Sequence, residues 1–174
     1  VGNDGASMWL NLHNGLSGAG MITHFDASKF RTQFACEVRD FDASLFLDVK
    51  ECRKMDRVSH FSIYVTDQAL KDAKFNLDNE NLDRFGVIWG SGMGGLRTFE
   101  NEVSAFATGD GTPRFNPFFI PKVITNISAG HISIRYGFRG PNFTTTSACA
   151  SSAHAICNAF NYIRLGKADV ILSG

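Results

Sequence analysis

Thr144-Thr-Thr-Ser-Ala-Cys149-Ala-Ser-Ser-Ala-His154 is the stretch on which the fold turns. A β-prone run, Phe143 to Ser147, ends at a cysteine, and a helical pattern of small residues, Ser151 to Leu165, begins just after it. The reading is a tight strand-to-helix turn with the Cys149 sulfur near a helix N-terminus. Backbone N–H groups and the helix dipole there favour an anion, so they favour a thiolate, the nucleophilic form. Gly140-Pro-Asn142 feeds the strand as a turn. A cysteine among small residues is also a common packing residue. However, Ala148, Ala150, Ser151, Ser152 and Ala153 leave room for a substrate to approach the sulfur.

Outward from this turn the chain alternates helix and strand. Ala6 to Gly15 reads as a short amphipathic helix and Lys50 to Lys74 as one long helix, with Phe61, Val65, Ala69 and Ala73 at i, i+4 spacing. Phe85 to Trp89 is a short buried strand, and Leu96 to Ala107 a helix. The stretch 109–117 is a Gly/Pro loop, Val123 to Tyr136 a helix, and Asp169 to Ser173 a buried strand. Gly166 is placed to end the helix that follows Cys149. Such alternation predicts an α/β fold with a mostly parallel sheet covered by helices.

Composition narrows the function classes. The 174 residues fit one domain; 44% are hydrophobic and the formal net charge is zero. Zero net charge argues against a nucleic-acid or membrane-surface binder, and no apolar run approaches the ~20 residues of a membrane span. Cys36, Cys52, Cys149 and Cys157 form no C-x-x-C pair, and no histidine stands at zinc-ligand spacing from them. No metal or other cofactor is called for. A reducing, cytoplasmic setting is expected. Cys157, eight residues after Cys149, is expected in the core.

Gly90-Ser-Gly92-Met-Gly-Gly95 satisfies G-x-G-x-x-G between a strand and a helix, which makes a nicotinamide-dependent oxidoreductase the rival class. The acidic residue about 20 positions on, Asp110, falls in a Gly/Pro loop rather than at a strand end, and the rival leaves the Cys149 turn without a task. Lys50, Arg53 and Lys54 form a basic cluster on one helix face, near Arg57. Asn116-Pro-Phe-Phe119-Ile-Pro121 is an apolar loop between prolines.

Taken together, the Cys149 segment resembles the active site of the β-ketoacyl-acyl carrier protein synthases, condensing enzymes of the thiolase superfamily. Further segments match in the same order: Gly18-Ala-Gly20, Thr23-His-Phe-Asp26, Phe34-Ala-Cys-Glu-Val38, Arg53-Lys-Met-Asp56, the glycine segment, Asn116 to Pro121, Gly130-His-Ile-Ser-Ile134 and Tyr136-Gly-Phe-Arg-Gly-Pro141. The resemblance runs from Val1 to Gly174 and is closest to the freestanding, elongating bacterial type.

It implies the five-layered α-β-α-β-α thiolase-like fold, of which residues 1–174 supply about the first half, with both ends lying inside a longer chain. It also implies an acyltransferase of fatty acid elongation with Cys149 as nucleophile. Met93, Phe119 and Ala148 would line the acyl pocket, Phe119 reaching it across a homodimer interface. Lys50, Arg53 and Lys54 would bind acyl carrier protein, both acyl- and malonyl-loaded. His131 and His154 receive no catalytic role, because the family's two catalytic histidines and lysine belong to the second half. The fragment alone is therefore expected to be inactive. A non-catalytic chain-length partner subunit is a third class, disfavoured by the presence of Cys149.

Overall fold

The computed structural model describes all 174 residues, and the chain divides into two compact units, Val1–Asp42 and Ala43–Gly174. The first unit holds helix α1 (Gly5–His13) and an antiparallel pair, β1 (Ala19–Met21) with β2 (Phe34–Cys36). Asp4 caps α1 by accepting the Ser7 N–H at 2.8 Å. Two segments that match the family separately meet here. The Glu37 carboxylate accepts the Thr23 N–H at 2.9 Å and the Thr23 hydroxyl at 2.8 Å, and those bonds hold it below the usual carboxylate range.

The second unit is built on three parallel strands in the order β4 (Asn142–Thr145), β3 (Phe85–Gly90), β5 (Val170–Ser173). Around them lie α2 (Val49–Lys54), α3 (Arg57–Ala73), α4 (Leu96–Thr108), α5 (Phe119–Val123), α6 (Ile127–Tyr136) and α7 (Ser151–Arg164). Strand β3 reads as an unbroken apolar run because both of its faces are covered. Phe85 and Val87 pack with Ala129, Ile132 and Phe138 on the α6 side, with Leu70 of α3 behind them. Ile88 packs with Ala155 and Ala159 of α7 on the other side. The result is helix, sheet, helix in three layers, with α7 crossing from edge strand β4 over β3 to edge strand β5.

The sequence expectations need four corrections. The single helix from Lys50 to Lys74 is two helices: Met55 is extended, and Asp56 starts α3 by accepting the Val58 N–H at 3.1 Å. Hydrophobic spacing runs through this break, so periodicity does not register it. The helix expected from Val123 to Tyr136 is α6 alone, and a separate short helix, α5, begins inside the Asn116–Pro121 segment that reads as a loop. Strands β1 and β2 are too short to give an alternating pattern. Cys157, expected in the core, is exposed on α7. Gly166, by contrast, behaves as expected. It adopts φ +66° just past α7, with its N–H bonded to Ile163 O and the Lys167 N–H bonded to Tyr162 O, a Schellman closure.

Candidate active site

Strand β4 ends at Thr145 and α7 begins at Ser151; between them the chain makes one 3₁₀ turn, Ala148–Ala150, with Cys149 at its middle. Cys149 is exposed. No side chain caps the N-terminus of α7. Ala148, immediately before the cysteine, sits at φ +48°, the left-handed region that L-residues with a Cβ avoid. Such a conformation persists only where the surroundings hold it.

The holding groups are hydroxyls. Ser151 Oγ accepts the Ser147 N–H at 2.9 Å and donates to Ala148 O at 2.7 Å. Thr145 Oγ1 donates to Ser151 O at 2.8 Å, and Thr146 Oγ1 donates to Ser91 O at 2.9 Å. Ser147 Oγ lies 2.6 Å from His154 Nδ1, so His154 braces the turn as well. In the sequence Ser151 reads only as a small residue and His154 as one without a catalytic role; the density of Ser and Thr around the cysteine is the one signal of this bracing.

The glycine segment lies alongside this turn. The Ser91 N–H donates to Thr145 O at 3.1 Å. A Cβ on Gly90 would stand 2.5 Å from Ser152 N, and one on Gly92 would have only Ala148 O within 4.0 Å. Further along, Gly94 (φ +66°) and Gly95 press against the backbone of Lys122 and Val123, at the end of α5. Thus the segment with Met93 lies in space between the turn with Ala148 and Cys149 and the helix with Phe119. Met93 is 65% exposed. Phe119 stacks on Phe99 and Phe115 of its own chain, at 6.2 and 5.5 Å between centroids, while Phe118 and Ile120 beside it are exposed.

In a dinucleotide site, the helix after G-x-G-x-x-G offers its N-terminus to a pyrophosphate. Here Asp56, 8% exposed, already fills that place: its carboxylate accepts the Thr98 N–H at 3.2 Å and the Thr98 hydroxyl at 2.5 Å, in the first turn of α4. A protein carboxylate at this position repels a phosphate. Asp110 pairs with Arg114 in its own loop, which also holds no strand end.

Lys50, Arg53 and Lys54 all lie on α2 and are exposed. Their one acidic neighbour on that helix, Glu51, is drawn away to Arg135 at 3.5 Å. The Lys54 ammonium stands 5.6 Å from the Phe118 ring, which brings the basic helix beside the α5 loop.

The chain is similar to known proteins over its whole length. The family described as β-ketoacyl synthase, N-terminal domain, matches residues 1–174. The chain is 40% identical to a 3-oxoacyl-acyl-carrier-protein synthase 2 of Synechocystis sp. and 41% identical to one of Coxiella burnetii, over its whole length in each case. It spans 42% of the length of these curated relatives. Among solved structures, it resembles a type II polyketide ketosynthase in complex with its acyl-carrier protein, with a TM-score of 0.74, 28% identity, 79% of this chain and 39% of that one. A β-ketoacyl synthase from Burkholderia phymatum shares the fold with a TM-score of 0.76, 24% identity, 94% of this chain and 40% of that one.

Proposed function

Since the chain belongs to the β-ketoacyl synthase family, matching its N-terminal domain throughout, we propose that it is about the first half of an elongating β-ketoacyl-acyl carrier protein synthase and carries that enzyme's nucleophile, Cys149. The observation that carries the reading is the Cys149 turn: an exposed thiol on a strained, hydroxyl-braced 3₁₀ turn at a helix start that no side chain caps.

The chemistry follows in two stages. The Cys149 thiolate attacks the carbonyl of an acyl carrier protein thioester. A C–S bond forms to Cys149, the carrier's thiol leaves, and an acyl-cysteine remains. Malonyl-acyl carrier protein then loses carbon dioxide, leaving its electron pair on the α-carbon. That carbon attacks the acyl-cysteine carbonyl, a C–C bond replaces the C–S bond, and Cys149 is released as thiolate with a β-ketoacyl product two carbons longer. The Cys149 backbone N–H serves as one donor to the developing oxyanion, a contribution of about 3 kcal/mol per donor in such sites. The second donor and the acid–base groups come from the remainder of the enzyme.

The lining groups proposed for the acyl pocket are Met93 and Ala148 of this chain, with Phe119 contributed to a neighbouring protomer of a homodimer. Support for the last is the exposed apolar surface of Phe118 and Ile120 beside it. The exposed face of Lys50, Arg53 and Lys54 suits the acidic surface of a carrier protein, through electrostatic steering. No helix is long and apolar enough to cross a membrane. The exposed thiols of Cys36, Cys149 and Cys157 suit the reducing, cytoplasmic setting proposed for the chain.

The deciding experiment is intact-mass analysis and peptide mapping of the full-length protein after exposure to a long-chain acyl-acyl carrier protein. A single acyl adduct on Cys149 is expected. A folded protein with no adduct there returns Cys149 to a packing role and sinks the reading.

A further inference from the structure

Resting on the assignment of Cys149 as nucleophile, we propose that Ser151 is a positioning residue, whose hydroxyl clamps Ala148 in its left-handed conformation and so fixes the direction in which the next residue, Cys149, leaves the chain. Ser151 is 4% exposed, and its Oγ makes two bonds, accepting from Ser147 N–H and donating to Ala148 O. These two backbone groups bracket the α-carbons of Ser147 and Ala148. The one hydroxyl therefore closes a ring over two residues, the second of which is the residue of the turn with φ at +48°. The Ser151 carbonyl is itself held by Thr145 Oγ1, which ties the clamp to the end of β4.

A helix-capping serine aims its oxygen forward, at amides of the first helical turn. The Ser151 oxygen aims backward, at the turn that carries the cysteine, and leaves the α7 amides uncapped. Its bonds thus serve the direction of Cys149 rather than the helix. Removing the hydroxyl leaves the part-buried Ser147 N–H without its side-chain acceptor and takes from Ala148 O one of its two donors, the other being the Ser151 N–H, which loosens the hold on Ala148 and lets it relax toward the right-handed region. That rotation redirects Cys149.

Glycine at position 148 gives the test its specificity. Glycine enters the left-handed region freely, so it needs no clamp. The experiment uses the full-length protein as wild type, Ser151→Ala, Ser151→Thr, Ala148→Gly and the double variant Ala148→Gly/Ser151→Ala. The rate of Cys149 alkylation by iodoacetamide is followed by peptide mapping, alongside acylation of the wild type by acyl-acyl carrier protein. Ser151→Ala is expected to slow alkylation by about tenfold or more, the scale on which small misplacements of a reacting group act. Ser151→Thr, which keeps the hydroxyl, should stay within about threefold of wild type, and Ser151→Ala should lose far less in the glycine background. An unchanged rate in Ser151→Ala overturns the clamp, as does an equal loss in both backgrounds. If Ser151→Ala does not fold, recovery of folding in the double variant supports the clamp and failure of both overturns it. Wild type that resists acylation sinks the nucleophile reading instead, a result separate from the alkylation series.

Discussion

Glycines in one short motif do different jobs here, and the difference is measurable residue by residue. At Gly90 the end of β3 passes so close to the start of α7 that an added Cβ would lie 2.5 Å from Ser152 N and 2.6 Å from Ser151 C. Backbone on both sides leaves nothing flexible to yield. Gly90→Ala is therefore expected to cost about 2 kcal/mol in a denaturant titration, the range of overpacking in a tight core. Because the clash falls on the residues that hold Cys149, it should also slow Cys149 acylation on the order of tenfold. Gly92→Ala meets only Ala148 O, at 4.0 Å, and should leave stability within about 0.5 kcal/mol of wild type. Equal effects at the two positions would show that close approach is not what Gly90 provides. The spacing G-x-G-x-x-G was legible in the sequence, but which glycine meets which backbone was not. It depends on α7 and α5, which arrive from far downstream in the chain.

Helices α2 and α3 show how an element boundary escapes periodicity. The apolar face continues across Met55 and Asp56, and only the Asp56 cap bonds to Val58 and Thr98 divide the helix. At its far end, α3 closes on Lys74, held at φ +57°. This exposed left-handed position is one where glycine is the favoured residue, so Lys74→Gly should raise stability by about 1 kcal/mol, read as a shift of the urea midpoint. Helices α3 and α6, which carry His60 and His131, bring a pH dependence. Burial pushes His60 and His131 below the ordinary histidine value. For His60 the bond to Cys52 O and the charge of Asp56 oppose burial, while Arg57 and Lys122 add to it. For His131, Glu51 opposes it and His60 adds to it. Both histidines are neutral in the fold at a pH where the unfolded chain already takes up protons. Stability is thus full above about pH 6.5 and falls as the pH drops below it, a window in which carboxylates of ordinary pKa are still ionised. The urea midpoint measured from pH 7 to pH 5 should fall in the wild type and flatten in His60→Gln/His131→Leu. An equal slope in both proteins would assign the acid sensitivity to other groups.

Across the whole chain, the sequence carried the alternation that makes the parallel sheet, the position of Cys149 at a strand-to-helix turn and the basic face of α2. It did not carry what covers each apolar face. Helix α7 illustrates this: Ala155 and Ala159 seal against Ile88, whereas Ile156, Phe160 and Ile163 of the same helix are 55, 59 and 41% exposed, with Cys157 among them. Periodicity marks such residues as apolar without saying whether this chain or another segment meets them, and the expectation of a core Cys157 failed for that reason. An apolar helix face beside the proposed nucleophile, on a chain that spans 42% of its relatives' length, is what a half-enzyme presents if the rest of the enzyme packs on α7. Two consequences can be checked together on a purified 1–174 polypeptide. It should bind an apolar dye that the full-length protein does not, because the α7 face is uncovered. It should also give no β-ketoacyl product from acyl- and malonyl-acyl carrier protein, because the proposed mechanism takes its second oxyanion donor and its acid–base groups from outside residues 1–174. Dye binding without condensation fits both statements. Condensation at a measurable rate by 1–174 alone would place the complete catalytic set within this chain and sink the half-enzyme reading.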